Sequence, residues 1–212
     1  MHVREYMTTK VITCTPDTLV WDAQKMMLDH NIRRLPVMKG SKLVGIITFK
    51  DILQATPFSD TSLMVSELNY FLSRLKVERL MTKNVITVTP DTPVEDAVFL
   101  GQEHGIGTLP VMEAGKLVGI ITATDLYKLV VQALSFGKPG VRLHISGVTE
   151  GRQMRELIEV ILSHQATIWS ILKVVPPATG KTDVIIRLDP IQTRGLLKDL
   201  SSRGYAVEVR RK

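Results

Sequence analysis

The sequence predicts an α+β protein with two β-α-β-β-α repeats followed by a β-α-β-β-α-β domain. Three observations support this: the chain repeats itself at a fixed offset, strand and helix periods alternate within each copy, and Gly137–Gly140 is a Gly/Pro-rich break. The composition, 44% hydrophobic and 23% charged over 212 residues, suits about two globular domains. We therefore expect repeats at 1–59 and 77–136, an inserted helix at 60–76, and a final domain at 137–212.

The repeat is visible directly in the sequence. A shift of 74 residues superposes Val3–Ile52 on Val77–Leu126 without a gap, and 27 of the 50 positions are identical. One copy is too small to bury a stable core, so we expect the two copies to pack face to face with pseudo-twofold symmetry. The longest identical runs are Leu-Pro-Val-Met at 35–38 and 109–112, and Lys-Leu-Val-Gly-Ile-Ile-Thr at 42–48 and 116–122.

Each copy has the same order of predicted elements. In the first copy, Val11–Thr13 is β-branched and predicts a short strand, after which Thr18 is a candidate N-cap for a helix. The apolar runs Leu35–Met38 and Leu43–Ile47 predict two strands joined by a tight turn, and a second helix is expected to begin at Thr48. The buried face of the first helix is predicted to be Val20, Ala23, Met26 and Met27.

An inserted helix is predicted between the copies, over residues 60–76. Its apolar residues Leu68, Phe71, Leu72 and Leu75 follow the i, i+3, i+4, i+7 spacing of one helix face. This face has two interpretations, packing on the chain's own repeats or contact with a second copy of the chain.

The final domain alternates strands and helices in a different order. Strands are predicted at 141–145, 167–175, 183–188 and 205–209. An amphipathic helix containing Met154–Leu162 follows the first strand, and a second helix is predicted to open at Asp189-Pro190-Ile191-Gln192 and to end at Gly204. The resulting order, β-α-β-β-α-β, is that of a ferredoxin-like fold.

The heptad Gly-Ile-Ile-Thr-x-x-Asp occurs in both copies, at 45–51 and 119–125. A strand that runs directly into a helix leaves free backbone N–H groups, which favour a phosphate. Thr48 and Thr122 add hydroxyl groups there, Asp51 and Asp125 add carboxylates that suit a ribose diol, and Gly45 and Gly119 would allow a ligand to approach the backbone. The alternative interpretation is structural, because Thr-x-x-Asp is also a capping box that needs no ligand.

These doubled motifs resemble the cystathionine-beta-synthase (CBS) domain, and the tandem pair resembles a Bateman module covering residues 1 to about 133. The resemblance implies binding of an adenosine nucleotide (AMP, ADP or ATP, with S-adenosylmethionine as a further candidate) as a regulatory ligand, with no cofactor required. It also implies that the residues bordering the adenine are Val11, Ile12, Thr13, Val85, Ile86 and Thr87.

The two copies differ just before the Leu-Pro-Val-Met strand. The first copy has Arg33-Arg34 and the second has Gly107-Thr108. In the CBS family these positions often face the ligand phosphates, and arginines supply charge and forked hydrogen bonds that Gly-Thr lacks. We therefore expect unequal sites, although a solvated loop is the alternative interpretation of the arginines.

The order of all three parts resembles the acetoin-utilisation accessory protein family, in which an ACT-like domain follows a CBS pair. The effector loop of ACT domains usually contains an Asp/Asn-x-Pro-Gly-like turn. The corresponding segment here, residues 146–151, contains no proline. The resemblance therefore implies dimerisation through this domain rather than binding of an amino acid, and we expect a homodimer.

The remaining features narrow the function class. The sequence has no nucleophile–base constellation, no GxxxxGK[ST] loop and no metal-ligand cluster, so it predicts a non-catalytic protein without a metal. The N-terminus lacks the apolar region of a signal peptide and no apolar run is long enough for a membrane span, so a cytoplasmic location is expected. The predicted function is sensing of an adenosine nucleotide and relay of that signal to an unidentified partner or to the chain's own dimer.

An alternative function rests on charge. Residues 134–212 contain 13 basic and 7 acidic side chains, whereas residues 1–133 contain 14 of each. The final domain is therefore a candidate surface for nucleic acid or an acidic partner, with a solvated face as the plainer interpretation. The predicted strand at 183–188 has no aromatic residue for base stacking, which argues against RNA.

Overall fold

The structure is a computed structural model that describes residues 1–55, 74–148 and 150–211 and divides into two compact units, Met1–Leu126 and Tyr127–Lys212. The helix predicted over 60–76 lies outside the described residues except for its last three positions. Within those positions Lys76 forms an isolated β-bridge with Leu19, so the prediction of helix up to Lys76 is wrong. Leu75 packs against the core of the first repeat.

The first repeat contains a β-hairpin and two helices. Helix α1 spans Val20–Asp29, β1 spans Arg34–Lys39, β2 spans Lys42–Thr48 and α2 spans Phe49–Ala55. The strands are antiparallel, with Arg34 opposite Thr48 and a register shift after Val37. Gly40, with φ 60°, supplies the left-handed conformation that the two-residue turn needs.

The second repeat has the same architecture. Helix α3 spans Val94–Glu103, β3 spans Thr108–Glu113, β4 spans Lys116–Thr122 and α4 spans Ala123–Ala133. The hairpin has the same register and the same shift, now after Val111. The repeat found in the sequence is therefore also a repeat of the local structure.

The N-terminal segment of each repeat packs into the other repeat. Val3 is fully buried in the core of the second repeat, and its N–H donates to Thr92 O at 2.9 Å. Val77 is fully buried in the core of the first repeat, and its N–H donates to Thr18 O at 2.8 Å. Each core is thus completed by residues that the sequence repeat assigns to the other copy.

These exchanged N-terminal segments also pack closely against Gly45 and Gly119. A Cβ added to Gly45 would lie 2.5 Å from Met81 Sδ, and one added to Gly119 would lie 2.5 Å from Met7 Sδ. The prediction that these glycines admit a ligand is therefore wrong. The space beside each glycine is filled by a methionine from the segment of the other copy.

The strand predicted over Val11–Thr13 is also absent, and only one parallel bridge, between Cys14 and Val37, forms there. Cys14 N–H donates to Pro36 O at 3.1 Å and Cys14 O accepts from Met38 N–H at 2.8 Å. The next ladder bonds on either side would need an N–H from Pro36 and from Pro16, and proline has none. The two prolines therefore limit the ladder to one bridge, and Val88 with Val111 repeats this arrangement in the second copy.

The start of α1 differs slightly from the prediction. The helix begins at Val20, and Thr18 does not cap it. The Thr18 hydroxyl instead accepts the Thr15 N–H at 3.0 Å and closes a turn ahead of the helix. Of the predicted buried face, Val20, Ala23 and Met27 are buried and Met26 is half-buried.

The second unit contains a four-stranded antiparallel sheet and two helices. Its elements, in chain order, are β5 (Val141–Ser146), α5 (Gly151–Ser163), β6 (Ile168–Val174), β7 (Asp183–Leu188), α6 (Arg194–Ser202) and β8 (Ala206–Arg211), with strand order β6-β7-β5-β8. The prediction that the second helix opens at residues 189–192 is wrong. The Asp189 carboxylate accepts the Thr167 N–H at 2.9 Å instead of capping a helix.

The core of the second unit lies on one face of its sheet. Apolar residues of both helices, including Leu157, Ile161, Leu196 and Leu200, are buried against it. Within the parts of the chain that the structure describes, no helix has the length and apolarity needed to cross a membrane.

Candidate functional site

A cavity of about 630 Å³ lies between the two repeats of the first unit. Four segments form its wall: the approach to β1, the junction of β2 with α2, residues 82–86, and the approach to β3. The first two belong to one repeat and the last two to the other. The site therefore exists only when the two copies pack together.

Eight of the fourteen predicted site residues line this cavity. They are Arg33, Arg34, Thr48, Asp51, Val85, Ile86, Gly107 and Thr108. The other six, Val11, Ile12, Thr13, Thr87, Thr122 and Asp125, do not line it. Under the shift of 74 residues, Val11 and Ile12 correspond to Val85 and Ile86, and the Thr122–Asp125 pair corresponds to Thr48–Asp51. Four of the six are thus the pseudo-symmetric equivalents of residues that line this cavity, whereas Thr13 and Thr87 are equivalent to each other and neither lines it.

Thr48 and Asp51 form a reciprocal capping arrangement at the start of α2. The Thr48 N–H and hydroxyl both donate to Asp51 Oδ2 at 2.8 Å, and the Asp51 N–H donates to Thr48 Oγ1 at 3.2 Å. Thr122 and Asp125 repeat it, with the two donors 3.0 and 2.7 Å from Asp125 Oδ2. Capping and ligand contact are compatible at Asp51, because both hydrogen bonds that its carboxylate accepts from Thr48 use Oδ2 and the side chain is only half-buried in the cavity wall.

Arg34 reaches from the first repeat to the second. Its guanidinium donates to Gly107 O at 3.4 Å, and a Cβ on residue 107 would lie 3.2 Å from Arg34 Nη2. Burial, followed by the neighbouring charge of Arg33, lowers the pKa of Arg34. The glycine of the second copy therefore leaves room for the arginine of the first.

The cavity wall is positively charged. Arg33, Arg34 and Lys50 contribute cationic groups, and Asp51 contributes one carboxylate. Among the described residues, no carboxylate lies within ion-pair distance of either arginine. This arrangement favours an anionic ligand that also offers a hydrogen-bond donor to the carboxylate.

Several residues that line the cavity do not stand out in the sequence. Phe49, Lys50 and Leu53 come from α2, and Thr82 and Asn84 come from the segment that packs against the first repeat. Thr82 is brought there by its backbone pairing with Ile46, at 2.9 and 3.0 Å. Recognising Thr82 and Asn84 would have required knowledge of the exchanged segments. Lys50 could have been found, because it lies inside the heptad next to Asp51.

Comparison with known proteins identifies the repeats. The family model for the CBS domain matches residues 3–57 and again residues 77–132, which together make up more than half of the chain. The chain belongs to the CBS-domain family. Its first unit is a CBS pair, as the doubled heptad predicted.

Several known proteins are similar in sequence to this chain over its CBS pair. A 17.7 kDa protein of Acidianus ambivalens, itself uncharacterised, is 35% identical over 150 residues, which cover 69% of this chain and 84% of that protein. Several further relatives carry enzyme names, and inosine-5'-monophosphate dehydrogenase of Korarchaeum cryptofilum is one. It is 35% identical over 127 residues, 59% of this chain but only 24% of the dehydrogenase, so the likeness extends to a CBS pair and not to a catalytic domain.

Solved structures of CBS pairs resemble the first unit. The pair of protein MJ0100, in complex with 5'-methylthioadenosine and S-adenosyl-L-methionine, has a TM-score of 0.53 at 30% identity and covers 61% of this chain and 95% of its own. CBSX2 in complex with AMP has a TM-score of 0.53 at 29% identity, covering 62% and 97%. A Vibrio cholerae protein named for acetoin utilization (AcuB) has a TM-score of 0.54 at 27% identity, covering 64% and 93%.

Proposed function

We propose that the protein is a non-catalytic regulator that binds an adenosine nucleotide in the cavity between its CBS repeats. The ligand class is AMP, ADP or ATP, with S-adenosylmethionine as a further candidate. The bound state is relayed to a partner protein or through the chain's own dimer.

One observation carries the proposal: a single cavity combines two unneutralised arginines with a half-buried carboxylate. Arginine guanidinium groups match phosphate geometry and charge, and the Asp51 carboxylate suits the hydroxyl groups of a ribose. A volume of about 630 Å³ falls within the range of small-molecule sites. Val85 and Ile86 line the same cavity and are proposed to border the base.

The relatives support the same ligand class. The CBS pair of MJ0100 was solved with two adenosine derivatives, and CBSX2 was solved with AMP. The pseudo-symmetric residues Val11–Thr13, Thr122 and Asp125 are proposed to form a second site that lacks arginines at positions 107 and 108. That second site should bind phosphate-bearing ligands more weakly than the first.

The second unit is proposed to be an ACT-like domain with a ferredoxin-like fold, occupying residues 137–212. Its strand order β6-β7-β5-β8 and its two helices on one face support this assignment. Its role is then to dimerise or to transmit the nucleotide state. The similarity to the AcuB-named protein supports a link to acetoin utilisation.

Isothermal titration calorimetry with AMP, ADP, ATP, S-adenosylmethionine and adenosine tests the proposal. We expect at least one nucleotide to bind with micromolar to sub-millimolar affinity, about 5–8 kcal/mol. Absence of heat with all ligands, in folded protein shown by mass spectrometry to be free of copurified nucleotide, would contradict it.

The variant Arg33→Gly/Arg34→Thr, which copies the second repeat, separates charge recognition from base recognition. We expect AMP and ATP to lose at least about tenfold in affinity, since charge-assisted hydrogen bonds contribute about 1.5–3 kcal/mol. Adenosine, which has no phosphate, should bind as it does to the unchanged protein. An equal loss for adenosine would show that the arginines shape the cavity rather than recognise phosphate.

A further inference from the structure

Helices α5 and α6 pack on one face of the sheet of the second unit. Among the described residues, the face that they leave uncovered, which we call the helix-free face, is contacted by the segment after α4, where Leu134 O accepts from Ser170 Oγ at 3.3 Å. Because side chains alternate along a strand, the residues between the buried apolar positions point to this opposite face. The buried positions that face α5 and α6 are Val141, Leu143, Ile145, Val184, Ile186 and Leu188. The helix-free face therefore displays Arg142, His144 and Ser146 from β5 and their cross-strand neighbours.

Three arginines cross this face in one row. Arg142 of β5 lies directly opposite Arg187 of β7 on one side and opposite Arg210 of β8 on the other. Directly paired residues in an antiparallel sheet have Cβ atoms about 4.5–5.5 Å apart, and like charges in such pairs are destabilising. We call Arg187, Arg142 and Arg210 the arginine row.

The arginine row is not neutralised within the part of the chain that the structure describes. No described carboxylate lies within 4.0 Å of the three guanidinium groups. The two carboxylates elsewhere on this face, Asp183 and Glu208, pair with His144 instead, at 2.9 and 3.5 Å. The adjacent positive charges therefore repel one another, and no described carboxylate forms an ion pair with them.

Arg187 is the buried end of the row. It is 5% exposed, and its Nη2 donates to the carbonyl oxygens of Ser135 at 3.3 Å and Lys138 at 2.8 Å. Its Nε has no hydrogen-bond partner among the described residues. Carbonyl oxygens are neutral acceptors, so these two bonds hold Arg187 without an ion pair. Arg142 is half-buried and Arg210 is exposed, and these two are the groups that a ligand can reach.

The surroundings of the row indicate what kind of anion fits. Leu172 and Ile185 form the next cross-strand pair on the same face, and Val174 follows on β6; all three are half-buried. A ligand with both carboxylates and aliphatic side chains would cover charge and apolar surface together. Trp169 is an aromatic side chain close to this face, and Lys138 Nζ stands over its ring at 5.7 Å, so that side of the ring is not open to a nucleic-acid base.

We propose that the arginine row and the aliphatic residues beside it form a docking surface for an extended acidic segment of a partner protein, in which two aspartates or glutamates at positions i and i+2 are followed by aliphatic residues at i+4 and i+6 on the same side. An extended segment places alternate side chains on one side at about 6.6–6.8 Å, a spacing that brings two carboxylates to Arg142 and Arg210. This surface is separate from the nucleotide cavity, and it identifies the chemistry of the partner that the regulator would contact.

Fluorescence anisotropy with the full-length protein tests the proposal. The probe is a labelled peptide with glutamate at positions i and i+2, leucine at i+4 and i+6, and serine between them, compared with the same peptide carrying glutamine in place of glutamate. We expect the glutamate peptide to bind and Arg142→Glu/Arg210→Glu to weaken binding by at least about tenfold. Affinity for the glutamate peptide should also fall as salt is added.

A matched control keeps the net charge change identical. Arg155→Glu/Lys198→Glu reverses two exposed charges on α5 and α6 and should change the peptide affinity by less than about twofold. Circular dichroism checks that each variant folds. If Arg142→Glu/Arg210→Glu does not fold, Arg142→Gln/Arg210→Gln takes its place, with an expected loss of at least about fivefold.

Five results would overturn the proposal: no binding of the glutamate peptide, equal binding of the glutamine peptide, an equal loss in the control variant, displacement of the peptide by inorganic triphosphate at equal concentration, or tighter binding of an oligothymidylate than of the peptide. The last result would assign the surface to nucleic acid. Inorganic triphosphate that displaces the peptide at equal concentration would assign it to a small anion instead.

Discussion

At the scale of single residues, Asp51 caps α2 and is also proposed to contact the ligand. Asn in place of Asp51 removes the carboxylate charge but keeps one side-chain oxygen for the Thr48 N–H. If the carboxylate contacts a ribose, we expect nucleotide affinity to fall by about 10- to 100-fold, which corresponds to about 1.5–3 kcal/mol for a hydrogen bond to a charged group. Calorimetry on Asp51→Asn measures this directly.

Asp125→Asn is the matched variant in the other repeat, because Asp125 accepts the same pair of hydrogen bonds from Thr122. We expect it to leave the arginine-bearing cavity unaffected and to weaken only the pseudo-symmetric site. A capping role alone would instead lower the free energy of unfolding by about 0.5–2 kcal/mol in both variants, with unchanged affinity. Thermal melting beside calorimetry distinguishes the two outcomes.

Gly45 gives a prediction about stability rather than binding. A methyl group at this position would overlap Met81 Sδ and approach Thr82 O, so Gly45→Ala should lower the free energy of unfolding by about 1–3 kcal/mol. Gly40→Ala is a useful contrast, since no atom lies within 4 Å and only its left-handed φ of 60° is strained. Urea denaturation measures both, and an unchanged midpoint in Gly45→Ala would contradict the close packing.

Single residues also show what the sequence could predict of the site. The sequence repeat made four of the lining residues recognisable. Thr48 and Asp51 recur at the same positions of the second copy, whereas Arg33 and Arg34 are replaced there by other residues. Asn84 was not, because its place in the cavity depends on long-range pairing of the preceding segment with the other copy. Local patterns contain no information on such an exchange.

At the scale of elements, the exchanged N-terminal segment should stabilise the repeat that it enters. Val3→Ala removes two methyl groups from the core of the second repeat and should cost about 1.5–3 kcal/mol. Val77→Ala makes the same change in the first repeat. Hydrogen exchange should then show α3 and β3 losing protection in Val3→Ala, and α1 and β1 in Val77→Ala. Loss of protection in the opposite repeat would contradict the exchange.

The contact between α5 and Tyr205, the residue before β8, predicts that the free energy of unfolding depends on alkaline pH. Burial, assisted by the hydrogen bond that Tyr205 donates to Glu156 at 2.9 Å, raises the pKa of Tyr205 to about 12. A raised pKa in the folded state means that the stabilisation is complete below the usual value near 10 and is lost as the pH rises towards 12. The free energy of unfolding should therefore decrease between about pH 10 and 12.

Tyr205→Phe should remove this part of the pH dependence, as measured by urea denaturation at a series of alkaline pH values. Burial also raises the pKa of Cys14 to about 11, so Cys14 contributes in an overlapping range. The comparison is therefore made in a Cys14→Val background, which copies Val88 of the second repeat. Identical pH profiles with and without Tyr205 would contradict the prediction.

The elements themselves were largely predictable, and their errors share a cause. The hairpins and the order of elements in both units follow from local periodicity and turn residues. The strand at Val11–Thr13 and the helix opening at residues 189–192 were wrong because hydrogen bonds that each needed do not form. Pro16 and Pro36 could not supply ladder N–H groups, and the Asp189 carboxylate accepted Thr167 N–H instead.

At the scale of the whole molecule, exposed apolar side chains on the CBS helices indicate self-association. Leu28 of α1 is 65% exposed and Phe99 of α3 is 67% exposed, and Trp21 and Val98 are also exposed on these helices. Large side chains on neighbouring surface positions favour burial against a partner, and a closed twofold dimer is the commonest arrangement. We therefore expect a homodimer.

Light scattering coupled to size-exclusion chromatography should report about twice the chain mass of 23.7 kDa at concentrations on the order of tens of micromolar. Phe99→Asp should shift the mass towards one chain if the CBS helices form the interface, because an unpaired carboxylate is costly to bury. Leu162→Asp places the same charge on α5, where Leu162 is 55% exposed, and should dissociate the dimer only if the second unit holds it together. A monomeric mass for the unchanged protein at these concentrations would overturn the prediction of a dimer. The bound nucleotide would then have to signal through a partner protein and not through a second copy of the chain.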